Sequence, residues 1–117
     1  MRINDWLENF KDHWEKHNIK GIISLFAKNV VYYETPFLRL NNLDEVAKEW
    51  EVIKHQNNIS LNFKGFSSNG NKHSVIWNLR YFDINKKEQN FAGTYLIELN
   101  DEGLCTYFHH SCEKENE

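Results

Sequence analysis

The apolar positions of Glu88–Asn100 fall on every second residue: Phe91, Gly93, Tyr95, Ile97 and Leu99 alternate with Asn90, Ala92, Thr94, Leu96 and Glu98. A period of two is that of a strand with one apolar face, and Leu96 on the opposite face implies partial cover there. The stretch predicts the middle of an antiparallel sheet, because strand-like segments flank it on both sides. Before it, Ile59, Leu61 and Phe63 alternate with polar residues, and a phase shift to Phe66 places a bulge at Gly65. Asn69-Gly70 marks a hairpin, followed by a strand with Val75, Trp77, Leu79 and Tyr81 on one face and a turn at Asn85-Lys86-Lys87. After it, Asn100-Asp101-Glu102-Gly103 turns the chain into a last strand, Leu104–Glu113. If Leu99 pairs with Leu104, Tyr95 faces Phe108 and Gly93 faces His110, with Phe108, His110 and Cys112 turned inward. A glycine opposite a histidine either leaves space on the inward face or relieves a bend in the sheet.

The first half of the chain changes period. Ile3, Leu7, Phe10 and Trp14, widened by Trp6, form the stripe of a helix running from Asn4 or Asp5 to His17, with either of the first two as its cap. Asn18 ends it, and a short helix, Ile19–Ala27, folds back as a hairpin. Val30–Thr35 is a β-branched and aromatic run that reads as a short strand, stopped by Pro36. Asn42 and Glu45 form a capping-box pattern ahead of a third helix carrying Val46, Ala47, Trp50 and Ile53. Three helices before a four-strand meander predict an α+β domain over residues 1–113, helices on one face of a curved antiparallel sheet, with a frayed tail at 114–117.

Composition narrows the partners. Seventeen aromatic residues among 117 predict a core of large rings. A formal charge of −3 with scattered lysines excludes the basic stripe of a nucleic-acid groove. The longest apolar run, Gly21–Ala27, is too short to span a membrane, and Met1–Trp6 contains no apolar signal segment. Cys105 and Cys112 lie seven apart in one predicted strand, on opposite faces and about 23 Å from each other. No disulfide spans that distance, and two free thiols predict a reducing, cytoplasmic setting.

Four features carry a resemblance to a known family. They are the helical hairpin running into Leu25-Phe26-Ala27-Lys28-Asn29-Val30-Val31-Tyr32-Tyr33, the strand end Glu34-Thr35-Pro36-Phe37 before a helix with Trp50, Phe91-Ala92-Gly93 at the start of the penultimate strand, and the Asn100–Cys105 turn before Phe108. In their order and spacing the chain resembles the nuclear transport factor 2-like superfamily, and within it the SnoaL-like branch. The resemblance implies a cone-shaped, cystatin-like fold with a pocket at one end. It also implies a function among isomerases, dehydratases, polyketide cyclases and binding modules.

Glu34 is the acid in the segment where the ketosteroid isomerase-like relatives place a general base; they carry it immediately before the proline, where this chain has Thr35. A carboxylate at an apolar mouth would have its pKa raised toward proton abstraction; otherwise Glu34 is a solvated strand end. Tyr95 matches their oxyanion-stabilising acid, and a phenol donates to an oxyanion; otherwise it is a core ring. Phe10 stands where they place a donor tyrosine, so half of that oxyanion hole is missing. His110 is either an acid or base, a partner of Glu34, or simply hydrogen-bonded.

The expected function is binding of a small hydrophobic or polycyclic molecule among Phe10, Trp14, Tyr33, Trp50, Trp77, Tyr95, Phe108 and His110, with Glu34 near the rim. Cys112 is expected to join this ligand-binding set beside His110, as a small buried thiol. The enzyme alternative uses Glu34 as base and Tyr95 or His110 as proton donor. A third reading is a homodimer through the outer sheet face, where Ile76, Leu96 and Tyr107 mix with Asn78, Arg80, Thr94 and Glu98. No cofactor is expected. His13 and His17 have metal-permitting i, i+4 spacing, but no third ligand is identifiable and a helix C-terminus explains His17.

Overall fold

The computed structural model describes residues 2–115. Helix α1 (Ile3–Glu15) buries Trp6, Leu7, Phe10 and Trp14, the predicted stripe. It begins earlier than expected: Arg2 occupies the cap position without a side-chain bond, and Asp5 lies inside the first turn, where its charge complements the helix dipole. Asn18 caps α2 (Ile19–Ile23), its side-chain oxygen accepting from Gly21 N at 3.0 Å.

Helix α2 stops short of the predicted Ala27, and β1 (Phe26–Thr35) begins four residues before the predicted strand. The cause is the Leu25 carbonyl. It accepts from the Trp6 indole at 3.0 Å and from Cys105 N at 2.9 Å, which ties the chain to the sheet. Pro36 does end β1, yet the chain reverses there into a short unpredicted strand, β2 (Leu38–Leu40), which pairs with β1. Helix α3 (Leu43–Trp50) starts as expected. Asn42 Oδ1 accepts from Glu45 N at 2.9 Å, and Glu45 reaches back to Asn41 N at 2.7 Å. A 3-10 turn, Glu51–His55, then buries Ile53.

Strands β3 (Asn57–Asn69), β4 (Lys72–Phe82), β5 (Glu88–Leu99) and β6 (Cys105–Lys114) form the predicted meander. The full sheet order is β2-β1-β6-β5-β4-β3. Its one departure from an antiparallel sheet is the β1–β6 pair, which runs parallel, so the sheet is mixed; the long intervening chain permits that crossover. The ladder is interrupted between Gly65 and Ser67, as the phase shift required. Lys114, expected in the frayed tail, pairs with Phe91, and Glu115 N donates to Asn90 O at 2.9 Å. The remainder of that tail lies outside the described residues.

The β5–β6 register differs from simple counting. Leu99 pairs with Cys105, and a bulge follows, so Tyr95 faces His110, Ile97 faces Phe108 and Gly93 faces Cys112. The slip from the expected pairs is two residues, an even number, so Phe108, His110 and Cys112 still face inward. The bulge also turns Cys105 inward, where it is fully buried, instead of opposite to Cys112. Both thiols are unpaired. No helix among the described residues is long and apolar enough to cross a membrane.

Candidate functional site

Between α3, the 3-10 turn and the inner face of the sheet lies a cavity of about 230 Å³ that opens to solvent. Exposed Glu49 and Val52 mark its mouth. Larger hollows lie elsewhere on the sheet, among the serines and His73 of the β3–β4 hairpin and beside Arg80 and Glu115. Neither has the tryptophan walls of the inner cavity.

Trp14 and Trp50 cross edge to face at 4.7 Å and 87° to form one wall. Each indole is held from behind: Trp14 Nε1 donates to Gln56 Oε1 at 2.8 Å and Trp50 Nε1 to the Tyr32 hydroxyl at 3.0 Å. The facing wall is sheet: Trp77 stacks on Tyr95 at 5.1 Å and 12°, and Tyr81 on Phe91 at 6.1 Å and 6°. Phe108 completes it, 4.7 Å from Tyr95.

Glu34 and His110 also line the cavity. The His110 Nδ1 lies 2.8 Å from the Glu34 carbonyl oxygen and 3.6 Å from its carboxylate. Both are acceptors, so Nδ1 carries a proton, and in the neutral ring the lone pair then lies on Nε2. That Nε2 is buried without a partner, as is Trp77 Nε1. Each such group costs about 1–3 kcal/mol, and buried polar atoms in folded proteins are otherwise satisfied.

The local field is negative. No lysine or arginine is among the described residues lining the cavity, which include both Glu34 and Glu49. Desolvation raises the Glu49 pKa and the Glu34 charge adds to the rise. Burial pushes the Tyr32 and Tyr95 phenols well above their ordinary range, with Glu34 contributing to both. Tyr95 therefore holds its proton tightly. Cys112 is exposed at the rim instead of buried, and desolvation with Glu34 nearby raises its pKa too, opposite to what a nucleophilic thiol needs.

Glu34, Tyr95, His110, Trp14, Trp50, Trp77, Phe108 and Cys112 thus meet at one cavity. Two expected wall residues do not. Phe10 is fully buried in the core behind Trp50 and Phe108. Tyr33 is on the outer face, with its ring beside His109 and Tyr107. Tyr32 takes its place inside, on the same face as Val30 and Glu34. Gln56, which follows the 3-10 turn, belongs to no periodic pattern. His13 and His17 diverge: the first meets Asn18 at 3.2 Å and the second reaches the Gln56 carbonyl at 2.6 Å. No group of three metal-ligating residues occurs among the described residues.

No family model matches the chain, and no curated protein matches it in sequence. In structure it is similar to the Δ5-3-ketosteroid isomerase from Mycobacterium sp., with TM-score 0.79, 15% identity, and coverage of 97% of this chain and 98% of that one. It is also similar to RV0760c from Mycobacterium tuberculosis, solved in complex with estradiol-17β-hemisuccinate (TM-score 0.76, 16% identity, 92% and 90% covered). A third similar structure is an NTF2-like protein of unknown function from Exiguobacterium sp. 255-15 (TM-score 0.75, 16% identity, 92% and 98% covered). Helices packed against one face of a bent six-stranded sheet, matched over nearly the full length of these structures, give this chain the nuclear transport factor 2-like fold.

Proposed function

We propose that the protein is a SnoaL-like binder of a small, flat, mostly apolar molecule. The observation that carries this reading is the open cavity of about 230 Å³ walled by Trp14, Trp50, Trp77 and Tyr95. Ligand sites are generally of this kind. Its volume lies below the ~300–1,000 Å³ usual for drug-sized ligands, which favours one or two rings over four. The fold neighbours include a ketosteroid isomerase and a protein holding a steroid hemisuccinate, which supports small-molecule binding. The acidic residues here disfavour an anionic ligand such as the latter.

Because three of the four tryptophans line the cavity, bicyclic aromatic compounds are expected to quench tryptophan emission and raise the melting temperature. At a hundredfold excess over Kd the stabilisation is about 2.7 kcal/mol, or roughly 10 °C for a domain of this size. A panel of such compounds that moves neither signal removes the reading. Compounds that bind are also the ones to assay for enolisation, cyclisation or dehydration. The geometry favours an exchange of the roles suggested by resemblance: His110 Nε2 is the base and Glu34 orients it. His110→Phe is then expected to lower any turnover at least tenfold, whereas Glu34→Gln, which keeps the main-chain carbonyl 2.8 Å from Nδ1, is expected to lower it by less.

We infer a homodimer through the outer sheet face from the neighbouring Ile76 and Leu96, 43% and 47% exposed. Light scattering is expected to give twice the chain mass, reverting to a monomer in Leu96→Lys; a wild-type monomer at high concentration rejects it. The unpaired thiols support a reducing, cytoplasmic setting.

A further inference from the structure

We propose that the cavity recognises a hydroxyl group on its ligand, the oxygen accepting from Trp77 Nε1 and the proton donated to His110 Nε2. This rests on the binding reading above and narrows it to phenols and alcohols of one or two rings.

The argument begins at Gly93. Trp77 on β4 pairs with Gly93 on β5, which pairs in turn with Cys112 on β6, while His110 pairs with Tyr95. Trp77 and His110 therefore stand diagonally across a position that has no side chain. Their rings approach to 5.4 Å at 34° across the middle strand. Trp77 is 2% exposed, and its Nε1 and His110 Nε2 are the buried side-chain polar atoms without a partner among the described residues.

The two nitrogens are not equivalent. An indole N–H only donates. His110 Nε2 only accepts in the neutral ring, because Nδ1 spends its proton on the Glu34 carbonyl at 2.8 Å. One fixed donor beside one fixed acceptor matches a group that both accepts and donates through a single oxygen. A hydroxyl does this. A ketone oxygen would satisfy Trp77 and leave Nε2 unpaired, and a carboxylate would additionally face Glu34 and Glu49 without any lining cation. A buried polar pair rejects a ligand that lacks the matching group, since binding then leaves both atoms dry and unpaired.

The test compares 2-naphthol with 2-methylnaphthalene, near-equal in shape, by fluorescence titration against the full chain. Naphthol is expected to bind at least tenfold more tightly, and Trp77→Phe and His110→Phe are each expected to reduce that preference to within about twofold. The wild-type protein supplies a readout that needs neither variant to fold: in ¹⁵N-histidine-labelled protein, the unprotonated Nε2 resonance of His110 should move with naphthol and not with methylnaphthalene. Equal binding of the two probes with a static Nε2 signal overturns hydroxyl recognition and leaves the binding reading standing, with a structural water as the partner of both nitrogens. Failure of both probes to bind overturns the two readings together.

Discussion

Phe10→Ala is expected to lower stability by about 3–5 kcal/mol, the cost of removing a buried phenylalanine from a core that collapses only partly. For a domain of this size that is a fall of roughly 10–25 °C in melting temperature. The reason is the company Phe10 keeps. Its ring is fully buried, stacks on Trp6 at 5.0 Å and 28°, and meets the Trp50 edge at 5.3 Å and 82°. Phe108 and Tyr95 lie 6.0 Å away on the sheet side. Helix α1 is thereby keyed to both walls of the cavity through one side chain, and its truncation leaves Trp50 and Tyr95 unsupported. Ligand affinity should fall with stability, although Phe10 does not line the cavity. A melting temperature within 3 °C of the wild type would show that this ring is not the keystone of the core.

Gly93→Ala is the second large effect expected. A Cβ at this position would lie 2.0 Å from the Ser111 carbonyl oxygen and 2.8 Å from Cys112 Cα. Both obstacles are backbone, so β5 and β6 must separate to admit one methyl group. Overpacking of this kind costs about 1–3 kcal/mol and sometimes more, and here it also moves His110 away from Trp77. Gly65→Ala is the matched control: a Cβ there meets nothing within 4 Å, and surface changes of that kind stay within about 0.5 kcal/mol. Equal melting temperatures for the two variants, measured side by side, would contradict the close approach at Gly93.

These two residues also show how far the sequence could be read. Helical spacing put Phe10 on the buried stripe of α1, but periodicity gives the face of a helix and not the depth of a residue within the core. Resemblance then carried Phe10 into the cavity, where the structure does not place it. In β5 the alternation was strict, so Gly93, Tyr95 and Ile97 were assigned the correct face without any knowledge of the pairing. The register itself was not legible, because the bulge between Glu98 and Leu99 has no composition signal of its own. The slip is two residues at His110, which concealed the error, and one at Cys105, which exposed it. In β1 the run Val30-Val31-Tyr32-Tyr33 is apolar on both faces, so no period chose between the tyrosines. Gln56 was invisible for a different reason: a buried polar residue is defined by its partners, here the Trp14 indole, and these are known only after folding.

The contact between His110 and Glu34 joins residues separated by 76 positions in sequence. It sits beside the parallel seam between β1 and β6, so the first strand made must wait for the last one before the ladder can close. Long-range pairings of this kind slow folding. On the ribosome, the aromatic inner surface has no complete cover until β6 has emerged, an interval in which an unfinished chain is vulnerable to aggregation.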